Sequence, residues 1–179
     1  MQAIAGSHDD DTEYNMSRFF KWSALLFGLL SGLWAANGFA ADEPALSSGQ
    51  TLYLPIYSHV YHGETGKDGK PTQTLVSTHV SIRNTDPQVA IKLLSARYYD
   101  TNGKLVRAFL SAPVTIPALG THEIFIPRND TSGGSGANFL VAWSAESPAN
   151  LPIVEALHAD IREARTLMFI TTGMPIKTR

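Results

Sequence analysis

The sequence predicts an all-β fold, an immunoglobulin- or fibronectin-like β-sandwich of about seven to nine strands, preceded by an N-terminal signal helix. Three observations carry this expectation. Short runs rich in β-branched and aromatic residues recur across residues 50–176, separated by clusters of Gly, Pro, Asn and Asp. One of these runs alternates cleanly: Val76, Thr78, Val80 and Ile82 fall on one face, while Ser77, His79, Ser81 and Arg83 fall on the other. Period two of this kind means one buried face and one wet face. Ahead of the runs stands an uncharged apolar stretch, Trp22–Trp34, of the length and composition of a signal core.

Taken in chain order, residues 1–15 hold Asp9, Asp10, Asp11 and Glu13 but no Lys or Arg, the opposite of a signal's basic front. Met16 opens a complete signal by itself, so residues 1–15 read as an over-extended start. Residues 16–40 form the signal peptide. Arg18 and Lys21 are its basic region, and Gly38 and Ala40 are the small residues before a cut at Ala41. The alternative is an uncleaved anchor, because Trp22–Ala41 is 20 residues without a charge. Ser23, Ser31, Asn37 and three glycines dilute that stretch. Residues 41–49 then read as a linker and 50–176 as the sandwich.

Within the sandwich the runs place strands near 50–57, 74–84, 90–99, 104–110, 113–117, 121–127, 138–145, 153–161 and 166–172. Pro55 cannot donate to a ladder, which marks the first strand as an edge. Asn84–Pro87 and Pro117–Gly120 are turns, and Asn102-Gly103 is a hairpin signal because Gly accepts positive φ. Gly63–Pro71 reads as a long polar loop. Asn150–Ile161 is ambiguous: a cap, an early Pro and apolar residues at 153, 156, 157 and 161 suit a helix, whereas the all-β context suits a strand.

Composition removes whole classes of function. The chain has 14 Lys plus Arg, 16 Asp plus Glu and no Cys. Without Cys there can be no disulfide, thiol nucleophile, Fe–S cluster or Cys-ligated zinc. Near-neutral charge argues against nucleic acid as a partner, since phosphate binding needs a strongly basic surface. Removing the first 40 residues takes away two basic and four acidic side chains and leaves twelve of each. A Cys-free exported domain of this size suits a periplasmic or secreted location, with membrane contact only through the signal segment if it stays uncleaved.

The most unusual stretch is Asn129–Asn138, with three glycines among short hydrogen-bonding side chains. Such a loop can turn tightly and point successive N–H groups inward as an anion nest. It lacks the Lys of a P-loop. It also misses the G-x-S-x-G nucleophile elbow, which needs Gly where Ala137 stands and a helix where a strand follows. A hydrolase would need a His and an acid beside Ser132 or Ser135. His59, His62, His79, His122 and His158 read as scattered surface histidines and not as a metal site. Asp86, Asp100 and Asp130 could bind Ca²⁺ only if their three turns met, and Asp more commonly starts a turn through its own side chain. Tyr53, Tyr57, Tyr61, Tyr98 and Tyr99 read first as ordinary packing with hydroxyls at the surface, the alternative being exposed aromatics for a peptide strand or sugar ring, and Trp143 reads as core.

Gln50–His59, Ser81–Pro87, Tyr98–Val106, Asp130–Phe139, Glu155-Ala156 and Phe169–Gly173 resemble an uncharacterised family of secreted bacterial proteins, a domain of unknown function. The resemblance spans nearly all of 48–176. It implies an exported β-sandwich and brings no activity, cofactor or catalytic residue with it. The expectation is therefore a non-enzymatic module that uses no cofactor or metal and binds an unknown protein or cell-envelope ligand. Its expected surface comprises Asp130, Thr131, Ser132, Ser135 and Asn138 with Tyr57, His59 and Tyr61. A metal or small-ligand carrier is the alternative.

Overall fold

A computed structural model describes residues 45–177. The expected start at Met16, the signal segment with its helix, and the cut at Ala41 lie outside the described residues. Among those residues there are twelve strands and no helix. All pairings are antiparallel.

The first sheet runs β12-β1-β9-β5-β6, with β7 also on β5. Its strands are β1 (Ser47–Ile56), β5 (Ile91–Tyr99), β6 (Leu105–Ala108), β7 (Val114–Ile116), β9 (Ala137–Ala149) and β12 (Met174–Ile176). The second sheet runs β11-β10-β4-β8, made of β4 (Ser77–Arg83), β8 (Thr121–Ile126), β10 (Ile153–Arg162) and β11 (Arg165–Thr172). A third sheet is the hairpin of β2 (His59–Thr65) and β3 (Pro71–Leu75).

Alternation explains the packing. Leu52, Leu54 and Ile56 of β1, Phe139, Val141 and Trp143 of β9, Val80 and Ile82 of β4, and Val154 and Ala156 of β10 join one buried cluster. The two larger sheets thus cover each other's apolar faces. Burying each large side chain contributes about 1.5–3 kcal/mol against leaving it exposed.

Parity fails once. Leu93 pairs with Trp143 and Ser95 with Ala142, so Leu94 is an extra residue, a β-bulge. The bulge shifts the inward face from Ile91 and Leu93 to Ala96 and Tyr98. Tyr98 is fully buried, with its ring stacked 5.1 Å from Phe139.

Several expectations need correction. The strands exceed nine because the expected 74–84 run divides at Val76, the expected polar loop is mostly the β2–β3 hairpin, and Met174–Ile176 adds a strand. The expected linker 41–49 runs into β1, which starts at Ser47. β1 is not an edge strand, since β9 and β12 flank it. Pro55 is tolerated because β12 covers only Thr51–Tyr53. The Pro55 carbonyl accepts from Thr171 Oγ1, so its missing N–H faces the side that β12 has already vacated. The ambiguous Asn150–Ile161 segment is strand from Ile153 onward: Val154, Ala156, His158 and Asp160 are buried at period two.

Candidate functional site

The strand registers give the two larger sheets two ends. At one end the Asn84–Pro87 turn is fastened to its neighbours. Asn84 Nδ2 donates to the carbonyls of Val89, Pro117 and Ile116 at 2.8, 3.0 and 3.3 Å. Asp86 accepts the backbone N–H groups of Val89, Gln88 and Asn150 at 2.8–3.0 Å. Those donors, Asn150 first, hold its carboxyl below the usual carboxylate range.

The other end gathers the residues that the sequence marks as a candidate surface. The Gly-rich loop leaves β8 and returns as β9, and two neighbouring segments clasp it. Gly134 O accepts from the Ser58 N–H at 2.9 Å, between Tyr57 and His59. Gly133 O accepts from the Thr101 N–H at 2.9 Å and from its hydroxyl at 3.0 Å, and Thr101 Oγ1 accepts from the Gly136 N–H. Glycine is required where the loop passes over the core, because a Cβ on Gly133 would overlap the Tyr98 hydroxyl. Gly134 has φ +78°, the left-handed region.

Asp130 opens this loop. It accepts from the Ser132 N–H at 3.1 Å and the Ser132 hydroxyl at 2.5 Å, and pairs with Arg107 at 3.1 Å. The Ser132 bond leads in keeping its carboxyl below the ordinary range, against the effect of burial. Burial pushes the Tyr98 hydroxyl the other way, upward. Thr131 and Ser132 are exposed, while Ser135 and Asn138 are half-buried. No histidine hydrogen-bonds Ser132 or Ser135 among the described residues.

On the neighbouring segment, His59 and Tyr61 meet edge to face at 4.8 Å, with Tyr61 exposed. Tyr57 turns the other way, against Phe169 and His158. His158 is a core group that the sequence left as a surface histidine, and this is a correction. Its ring lies parallel to Phe169 at 4.5 Å, and Nε2 accepts from the Tyr57 N–H at 3.1 Å. Burial depresses its pKa to about 4, with the carbonyls of Ala156 and Phe169 offsetting only part of the effect. His79 is on the wet face as expected, beside Glu123 at 3.3 Å.

Asp86, Asp100 and Asp130 do not converge. Asp100 accepts the N–H groups of Asn102 and Lys104 at 2.9 Å, so each of the three carboxylates serves its own turn. No group of three His, Asp or Glu side chains suited to a metal ion occurs among the described residues.

A cluster that sequence reasoning missed lies at the same end. Asp160, 2% exposed, accepts from Arg162 Nε at 3.0 and 3.1 Å, Arg165 at 3.1 Å and Arg128 at 3.4 Å. The Arg162 bond leads in holding its carboxyl below the ordinary range. Asp160 and Arg162 share strand parity, which is a weak signal. Arg128 arrives from 32 residues away, and only the fold reveals it.

None of the curated proteins compared matches the chain. A solved structure described as Thermotoga maritima 1070 shares 10% identity, covering 70% of this chain and 92% of its own, at a TM-score of 0.37. Residues 49–176 match the family described as "Protein of unknown function (DUF3124)", and on that extent of match the chain belongs to the DUF3124 family.

Proposed function

We propose that this protein is an exported, non-enzymatic binding module of the cell envelope or periplasm, built as an immunoglobulin- or fibronectin-like sandwich. Its recognition surface is the end that carries the Gly-rich loop. The observation behind this reading is the clasp of Gly133–Gly136 by Ser58 and Thr101. The clasp fixes a loop with exposed Thr131 and Ser132 beside the segment that presents exposed Tyr61. Pre-ordered loops lose less entropy on binding, and exposed aromatic surface supplies contact area. The opposite end uses its polar groups on its own backbone. The signal-like front of the sequence supports export.

A photoreactive amino acid placed at Tyr61 or Ser132, with Leu119 at the opposite end as control, tests the surface in living bacteria. Irradiation should give a discrete adduct from positions 61 and 132 and none from 119. Adducts from 119 alone, or from no position, would overturn the assignment. The mass of the recovered protein tests export: a chain starting at Ala41 is expected, and a retained front would replace the secreted reading with an anchored one.

A further inference from the structure

β4 is the middle strand between β8 and β10, and it begins at Ser77, opposite Ala159. On one flank β10 continues to Arg162, and on the other the chain continues past β8 through Pro127 and Arg128. Nothing prolongs β4 between them, because the chain enters it sideways from the hairpin, with the Val76 N–H bound to Ser58 O. The missing length of middle strand leaves a cleft of about 460 Å³ lined by Ser77, Phe125, Pro127, Arg128, Ile161 and Arg162, among others. That is the size of an ordinary small-molecule site.

The cleft has a charged wall and an apolar wall. Asp160 is buried under three guanidinium groups, each about half exposed, and neutralises one of them. Glu163, in the two-residue turn between β10 and β11, makes no ion pair with them among the described residues. Each guanidinium has five N–H donors in a fixed fork, and Asp160 engages a minority of them. The buried carboxylate therefore acts as a pin that orients the arginines; Arg128 and Arg162 line the cleft and Arg165 lies outside its lining, so the wall keeps one uncompensated positive charge and the whole cluster two. Phe125, 61% exposed, and Ile161, 68% exposed, line the same cleft. Exposed apolar groups beside spare guanidinium donors match one ligand chemistry.

We propose that this cleft binds a dianionic phosphate-type group carried on a partly apolar molecule, the phosphate on Arg128 and Arg162 and the apolar part against Phe125 and Ile161. Phosphate accepts paired N–H bonds from arginine, and its negative charge complements the net positive charge of the cluster. The site does not depend on the loop surface proposed above.

Calorimetric titration of the full chain, as recovered from cells, uses phenyl phosphate, inorganic phosphate and benzoate, with chloride at matched ionic strength as the blank. Phenyl phosphate should bind tightest, inorganic phosphate more weakly, and benzoate least. Arg128→Gln, which leaves Asp160 paired with Arg162 and Arg165, should weaken both phosphates about tenfold. Phe125→Ala should weaken phenyl phosphate several-fold and leave inorganic phosphate unchanged. Wild-type amide shifts on adding phenyl phosphate should centre on residues 125–128 and 159–165, which locates the site without any variant; shifts confined to other residues would overturn the assignment. Binding no stronger than the chloride blank, an Arg128→Gln titration equal to wild type, or benzoate matching phenyl phosphate would overturn it as well. Crosslinking from Tyr61 and Ser132 reports separately, so the two proposals can fail independently.

Discussion

Lowering the pH from about 7.5 to about 4.5 should destabilise the protein through His158 by roughly 2–3 kcal/mol, a value that follows from two pKa values. In the folded chain the ring is fully buried against Phe169 and accepts the Tyr57 N–H, which holds it neutral and sets its pKa at about 4. In the unfolded chain its pKa returns to 6.5. The folded pKa is the lower of the two, so the unfolded state takes up the proton first on acidification. The stabilising contribution is whole above about pH 6.5 and is lost as pH falls toward about 4. Asp86, Asp130 and Asp160 also have depressed values, but their contributions are present above 3.8 and lost only below it. The two windows therefore barely overlap. Urea unfolding at several pH values, on wild type and His158→Gln, isolates the effect. Gln keeps an acceptor for the Tyr57 N–H but cannot titrate. The wild-type stability should fall through the window, and the variant's slope should be shallower by about one proton. Parallel profiles for the two proteins would refute the reasoning.

Two further outcomes follow from the same geometry. Gly133→Ala should cost about 2 kcal/mol, the overpacking penalty less the roughly 0.4–1 kcal/mol returned by a stiffer unfolded chain. Its Cβ meets the buried Tyr98 hydroxyl, so in a Tyr98→Phe background the penalty should shrink by about 1 kcal/mol in urea melts; an unchanged penalty would show that the contact is not the cause. Calcium, zinc or a chelator should leave the melting temperature within about 1 °C, because Asp86, Asp100 and Asp130 already accept backbone or side-chain donors in three separate turns. A rise that saturates with metal would contradict that reading.

The sequence alone determined the all-β class, the position of most strands and the family. The class and the strand positions rest on local physics: period-two alternation, β-branched runs, and turn residues such as Asn102-Gly103 that act over a few positions; the family rests on the resemblance of whole segments such as Asp130–Phe139. It also marked the Gly-rich loop and the Tyr57–Tyr61 segment, which the fold brings together through Ser58 and Gly134. It could not place Tyr98, because a single bulge at Leu94 reverses parity and a bulge has no local signature there. Nor could it see that β1 is flanked on both sides, since the covering strand comes from Met174–Ile176, more than 100 residues later. His158 went from surface to core because its environment, Tyr57 and Phe169, arrives from two other strands or their ends. The arginine cleft is the clearest case of what tertiary structure decides. Asp160 and Arg162 are ordinary strand-end charges in sequence; the early start of β4 opens the space between them and Arg128, and burial of one carboxylate turns three solvent-seeking side chains toward a common point.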